Sequence, residues 1–269
     1  MRIMKRGRIY TVHYGQSIST TNEFIAKTKE YLGPNLDLVI INNSPEFKIV
    51  TDDSKFIRII ESDNNLGYFG GIKKGIDEEP IVGMDYIIVC NNDTQILAPD
   101  FFTLLEKKID DYDIIAPSIR TLENIEQNPH RETRIKLSKK CYYRLYFFNY
   151  YFAIVLSKLV GFKKRKVRRN LLPSQIERKI FSPHGAFLIF NRSYFDKGGV
   201  IDNGYFLYGE EDSIAAIAIL KNMSIGFIPS LKILHQESIT TGKKLSKKKY
   251  QFQKKAHKYI RHNYPHLFY

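Results

Sequence analysis

Through its first 120 residues the chain alternates short apolar runs with amphipathic stretches. Residues 8–13 (RIYTVH), 36–41 (LDLVII), 56–60, 86–90 (YIIVC) and 114–117 read as strands. Several are near-continuous apolar runs, the pattern of strands buried on both faces of a parallel sheet. A first helix begins at Thr20 or Thr21 and runs to Tyr31, with Phe24, Ile25, Thr28 and Leu32 on one face, and Gly33-Pro34 ends it. A second helix starts near Gly70 and carries Lys73 and Lys74. A third runs from Pro99-Asp100 to about Asp110. This alternation predicts an α/β chain built on a doubly wound, mostly parallel central sheet flanked by helices.

The pattern changes between residues 118 and 180. Lys and Arg recur among few periodic elements, and residues 145–157 (LYFFNYYFAIVLS) are strongly apolar and aromatic. That run is too short for the ~20 residues a bilayer crossing needs. Lys163, Lys164, Arg165, Lys166, Arg168 and Arg169 follow it. Two readings stand: a segment lying in the interface of an anionic membrane, or a buried helix followed by a solvated basic loop. Regular structure returns with strands at 186–190, 225–228 and 232–234. A helix opens on Glu210-Glu211-Asp212, where its dipole favours acids, and a Lys-rich helix follows residue 243. The expected organisation is one domain in four stretches: 1–117, 118–180, 181–242 and 243–269. No internal repeat is visible.

Composition narrows the classes. Hydrophobic residues make up 43% and charged residues 26% of the 269, enough apolar surface for a core. Lys and Arg number 42 against 28 Asp and Glu, a net charge of +14, which favours an anionic partner. The two cysteines, Cys90 and Cys141, form no disulfide framework or zinc spacing, so a reducing compartment is expected. The N-terminus is basic but has no apolar h-region, and no signal peptide is expected.

Candidate chemistry gathers at strand ends. The fourth apolar run leads straight into Asn91-Asn92-Asp93-Thr94. Ligands of open α/β sheets bind outside the carboxyl ends of strands, so Asp93 is placed at the mouth of a cleft. One carboxylate flanked by amides suits a hard divalent cation shared with substrate phosphates; the alternative is an ordinary polar turn. The segment GYFGGIKKG fits neither a dinucleotide-binding nor a Walker fingerprint. It reads either as a backbone approach to a phosphate at a helix N-terminus or as a glycine-rich turn.

Four segments resemble family 2 glycosyltransferases, and within them the rhamnosyltransferase-like enzymes of bacterial surface polysaccharides. They are VIINNS (39–44), NLGYFGGIKKG (65–75), CNNDT (90–94), and residues 184–212 followed by HQES (235–238). The likeness runs from about residue 9 to 242, apart from the insert. It implies a GT-A fold and an inverting transfer of a sugar from a UDP- or dTDP-linked donor to a lipid-linked oligosaccharide, for capsule or O-antigen. It also implies Mn²⁺ or Mg²⁺, held by Asp93 and His235. The family's usual Asp is replaced by Asn at Asn42 and Asn91, which leaves the nucleotide and the metal dependence open. The general base is Asp212 of the Glu211-Asp212 pair, or Glu211 if Glu210-Glu211 aligns instead. His13, Tyr14, Asn42, Asn65, Gly71, Asn91, Asn92 and Asp93 are placed on the donor side, and His184 and Gly185 on the acceptor side. Lys73 or Lys74 is either a phosphate ligand or a solvated helix lysine. With the basic insert, the likeness suggests a peripheral enzyme on the cytoplasmic face of the inner membrane.

Two other classes fit the sequence less well. A sugar nucleotidyltransferase would carry a glycine- and Arg/Lys-rich signature near its N-terminus, which RIYTVHYGQS lacks. A basic nucleic-acid- or membrane-binding module would concentrate its charge on one face. Here much of it lies in the insert and tail, and no nucleic-acid motif is present.

Overall fold

The computed structural model describes residues 5–15, 18–51, 55–168, 176–236 and 245–268; for residues 160–168 it describes the backbone alone. Its centre is a nine-stranded sheet. Strands β1 (Gly7–His13), β2 (Leu36–Asn42), β3 (Ile57–Glu61) and β4 (Tyr86–Asn91) lie side by side in parallel, in the order β3-β2-β1-β4. Alternate residues of these strands feed two cores, as the pleat requires. Tyr10, Val39, Ile41 and Val89 face α2 (Tyr68–Glu78) on one side of the sheet. Ile9, Leu38, Ile40 and Cys90 face α1 (Ile18–Thr28) and α3 (Phe101–Lys108) on the other. Burial on both faces is why these runs are apolar throughout.

Two glycines let α2 sit close to the sheet. A Cβ on Gly75 would stand 2.7 Å from Ile41 Cδ1, and one on Gly71 would stand 2.9 Å from Val12 Cγ2. They are one helical turn apart and share the inward face. These two glycines therefore have a packing role inside the helix.

The second half of the sheet is joined to the first through an antiparallel strand, β8 (Phe187–Asn191), which runs into the short helix α6 (Arg192–Asp196) and lies between β4 and β6 (Ile114–Thr121). Next comes β9 (Ile225–His235), parallel to β6, then the short antiparallel β5 (Thr94–Ile96); β7 (Arg178–Lys179) also pairs with β9. Accordingly β1, β2, β3, β4, β6 and β9 point one way, and their carboxyl ends line one edge. The two short strands expected at 225–228 and 232–234 are one strand. It continues through Pro229-Ser230 with a register shift opposite Pro117/Ser118, because a bulge absorbs residues that cannot keep the ladder.

The insert is more ordered than its sequence pattern implied. It forms α4 (Leu137–Tyr146) and α5 (Tyr150–Arg168), broken at Phe147–Asn149. Tyr146 and Ala153 pack on Tyr250 of the C-terminal helix, α8 (Lys247–Asn263). The other face of α5 is bare: Tyr151 is 74% exposed, Phe152 50%, Val155 56% and Leu159 60%. Among the described residues, no helix is long and apolar enough to cross a membrane. Arg169, Glu237, Ser238 and Gly242 lie outside the described residues.

Candidate active site

Strand pairing builds the first part of the site. After β4 the chain turns through Asn92 and Asp93 and enters β5, where Thr94 is paired with His235 at the end of β9. The turn is held by the Thr94 hydroxyl donating to the Asn91 carbonyl (2.7 Å) and by the Gln236 N–H donating to the Asp93 carbonyl (2.9 Å). Both side chains are buried, and His235 Nε2 lies 3.3 Å from Asp93 Oδ1. On the far side of the ring, Nδ1 is 2.7 Å from the amide oxygen of Gln127. That oxygen accepts, which places a proton on Nδ1; in the neutral ring the Nε2 lone pair then faces the carboxylate.

Two facing acceptors in a buried site call for a proton or a cation between them. Their spacing is close to the edge of an octahedron with ~2.1 Å bonds, about 3 Å. The pair therefore fits a divalent cation. Among the described residues, no group of three or more His, Cys, Asp or Glu is placed to hold a metal. Such a site offers two protein ligands and leaves the other positions to a bound substrate or water, the usual arrangement for a cation that works on phosphates.

The second part comes from α7 (Glu210–Leu220), whose first turn holds three acids that go three ways. Glu210 is buried against the backbone amides of Tyr208, Gly209 and its own residue; burial first, then the Glu211 charge, pushes its carboxyl up to about 8. Tyr208, at φ 71°, supplies the turn that brings its amide there. Asp212 is ion-paired with Arg131, whose second Nη donates to the Tyr143 hydroxyl on α4 (2.9 Å). Glu211 faces the sheet edge, and its Oε1 accepts from the Gly185 N–H (3.3 Å). Burial works to raise the Glu211 carboxyl, but His130, His184 and backbone amides together hold it below the usual range.

The two parts meet. The His184 ring lies 6.1 Å from that of His235. The Tyr68 phenol donates to the Gly185 carbonyl (3.2 Å) and stands in the field of Asp93, Glu210 and Glu211. Asp93, His235 and Glu211 thus gather around the 184–185 loop, whereas Asp212 turns toward α4. Asp212, the expected base, is ion-paired with Arg131, and Glu211, the alternative, faces Gly185.

Glu210 also gives the protein a pH signature. A carboxyl whose folded pKa is raised binds its proton more tightly when folded. Its stabilising contribution is complete below about 4.5 and is lost as pH rises through about 8. Melting temperature is expected to fall between pH 5 and 8.5, and Glu210→Gln should flatten that slope. An unchanged slope in the variant would assign it to another group.

The donor-side residues divide. His13, at the end of β1, is fully buried, with Nδ1 2.7 Å from Thr21 Oγ1. The same hydroxyl accepts from Asn92 Nδ2 (2.7 Å), so His13, Thr21 and Asn92 form one network. Burial lowers the His13 pKa, keeping the ring neutral at pH 7. Tyr14 is half-exposed beyond it. Asn42 is fully buried and already engaged: Nδ2 donates to the Phe47 carbonyl (2.7 Å) and Glu61 (2.8 Å), while Oδ1 accepts from the Ser44 N–H (3.0 Å). Both Nδ2 hydrogens are thereby used, which leaves one Oδ1 lone pair for a further donor. Asn65 Oδ1 accepts from the Gly67 N–H (2.9 Å), shaping the entry to α2. Gly71 is buried, and the Asn91 N–H is spent on the Ala186 carbonyl (2.9 Å). Lys73 and Lys74 pair with Asp77 and Glu78 one turn on, as solvated helix lysines do. Tyr68, Gln127 and Arg131 have no place among the residues that the sequence points to, and Thr21 enters there only as a helix start. Only Tyr68 lies inside a quoted motif; the others carry no local pattern.

No family model matches the chain, and neither does any curated protein. Solved structures do. One is GalNAc-T7 with UDP, GalNAc and Mn²⁺: TM-score 0.57 and 10% identity, over 88% of this chain and 45% of that one. Another is the mannosyltransferase PcManGT from Pyrobaculum calidifontis in complex with GDP-Man and Mn²⁺: TM-score 0.50 and 12% identity, over 98% of this chain and 72% of that one. This chain spans less than half the length of GalNAc-T7. At such identities the likeness is one of architecture, and the architecture is the GT-A glycosyltransferase fold.

Proposed function

We propose that this chain is a metal-dependent, inverting glycosyltransferase that moves a sugar from a nucleotide-diphosphate donor to a hydroxyl of an acceptor. The observation that carries the reading is the meeting of the Asp93–His235 acceptor pair with the Glu211 carboxylate around one loop. Asp93 and His235 would hold Mn²⁺ or Mg²⁺, which when bound supplies charge for the departing diphosphate. Imidazole ligation tilts the choice toward Mn²⁺. Glu211, ionised at neutral pH, accepts the proton of the acceptor hydroxyl as it attacks the anomeric carbon. Attack opposite the diphosphate inverts that carbon. The His13–Thr21–Asn92 network and Tyr14 flank the nucleoside, and His184 and Gly185 line the acceptor side. Structural neighbours solved with UDP or GDP-Man and Mn²⁺ support the donor class.

The finer reading is a family 2, rhamnosyltransferase-like enzyme using a UDP- or dTDP-linked sugar for bacterial capsule or O-antigen. It rests on the four motifs and their order. Its acceptor is lipid-linked, and it works at the cytoplasmic face of the inner membrane. The bare aromatic face of α5 supports this, as does its charge: between Glu132 and Glu177 the chain holds twelve Lys and Arg and no acid. Each basic residue near an anionic surface adds about 1 kcal/mol. Co-sedimentation with vesicles containing phosphatidylserine is expected, and it should be lost when Lys163 through Arg168 are neutralised. Equal pelleting of the two proteins would remove the membrane from the proposal. The transfer itself is tested with a panel of nucleotide sugars, with and without Mn²⁺, and product analysis on saccharide acceptors. Failure of every donor to bind would end it.

A further inference from the structure

Tyr68 has no part in the chemistry described so far, yet it stands at the junction of the site's two halves. It is the first residue of α2, on the donor side of the fold. Its hydroxyl donates to the Gly185 carbonyl (3.2 Å), and the N–H of the same glycine donates to Glu211 Oε1 (3.3 Å). We propose that Tyr68 is a positioning residue for the general base: it pins Gly185 from the donor side, so that the glycine presents its amide to the Glu211 carboxylate. The inference rests on the assignment of Glu211 as base.

Position 185 has a reason to be pinned. Glycine has the widest backbone freedom of any residue, and here a Cβ would press on the Glu211 carboxylate, which would have to give way slightly. A Cβ on Gly185 would stand 3.3 Å from Glu211 Oε1 and 3.5 Å from Glu210 Cβ. Its neighbours are held already. The His184 N–H donates to Asn128 Oδ1 (2.7 Å), and the Ser182 hydroxyl donates to the Glu211 carbonyl (2.9 Å). The bond from Tyr68 fixes the glycine itself. The phenol is suited to this: burial foremost, helped by the nearby Asp93, Glu210 and Glu211 charges, keeps it protonated and therefore a donor throughout the working pH range.

The role also connects donor to base. Tyr68 precedes Gly71, which is packed on β1 near the donor-side strand ends. A shift of α2 when the donor binds would reach Glu211 through one side chain and one glycine.

The test is Tyr68→Phe in the full chain, which keeps the ring and removes only the hydroxyl. With Mn²⁺, donor and acceptor, kcat is expected to fall about tenfold or more, the scale on which small misplacements cost rate. The KM for the donor should stay within about twofold, since the donor's own contacts are untouched. The acidic limb of the kcat–pH profile should move to higher pH, because a carboxylate that loses an N–H donor becomes a stronger base. Hydrogen exchange at the Gly185 amide should quicken in Tyr68→Phe, and in Glu211→Ala, which removes the acceptor outright, a readout that needs no turnover. Unchanged exchange and an unmoved pH limb would overturn the proposal, as would a loss confined to donor affinity. Faster exchange in Tyr68→Phe and Glu211→Ala with full turnover by Glu211→Gln would retain the link but sink the choice of base, which separates the two failures.

Discussion

Glu211→Gln is expected to lower kcat by about 10² to 10⁴-fold, the range general-base catalysis supplies, with donor affinity retained. The amide has the carboxylate's shape, and its oxygen can still accept from the Gly185 N–H; what it cannot do is take a proton. The informative partner is Asp212→Asn. Asp212 and Arg131 are mostly buried and pair directly, with Tyr143 on the other arm of the guanidinium. Removing one charge leaves the other poorly compensated, which costs on the order of 1–3 kcal/mol. Asp212→Asn is therefore expected to melt earlier but keep most of its kcat. Steady-state kinetics with melting curves separates the two carboxylates. A dead but stable Asp212→Asn beside an active Glu211→Gln would return the base to Asp212.

Asp93→Ala should abolish Mn²⁺-dependent donor binding. A ligand present at 100 times its Kd stabilises a folded protein by about 2.7 kcal/mol, on the order of 5 °C or more in melting temperature for a chain of this size. In the variant the shift should shrink to that of the nucleotide without metal. The apo protein should not suffer, because the substitution removes one of two facing acceptors, His235 Nε2 and Asp93 Oδ1 at 3.3 Å. Thermal shift with a Mn²⁺ titration checks both statements. An Asp93→Ala protein that titrates like the parent would place the cation elsewhere.

Sequence carried much of the architecture because both faces of the inner strands are covered. Runs such as 38–41 had no reason to be polar anywhere, and they stop where the chain reaches the open edge. That is why Asp93, His13 and Asn42 could be placed at strand ends. What stayed hidden depends on pairing between distant segments. β5 has three residues and begins directly after a turn, too short for any period. β9 reads as two pieces because Pro229 and Ser230 interrupt the apolar pattern that the bulge tolerates. Gln127 sets the tautomer of His235 from a loop with no motif, and Arg131 claims Asp212 across 81 positions. Asn42 was legible as a residue, but its place at the strand end did not reveal that the Phe47 carbonyl, Glu61 and the Ser44 amide already occupy it.

The Asp93–His235 contact has a consequence for how the protein comes into being. Asp93, one of the two proposed ligands, is made early in synthesis and His235 on the last strand of the sheet, and they touch only when β5 zips onto β9. Closing so long a loop is slow, since its entropy is lost before the contact returns anything. Every earlier strand can be in place while the cation seat is still half made. A nascent or truncated chain that stops short of residue 235 would carry most of the fold and no metal affinity, and Mn²⁺ uptake during refolding would time the final closure of the sheet.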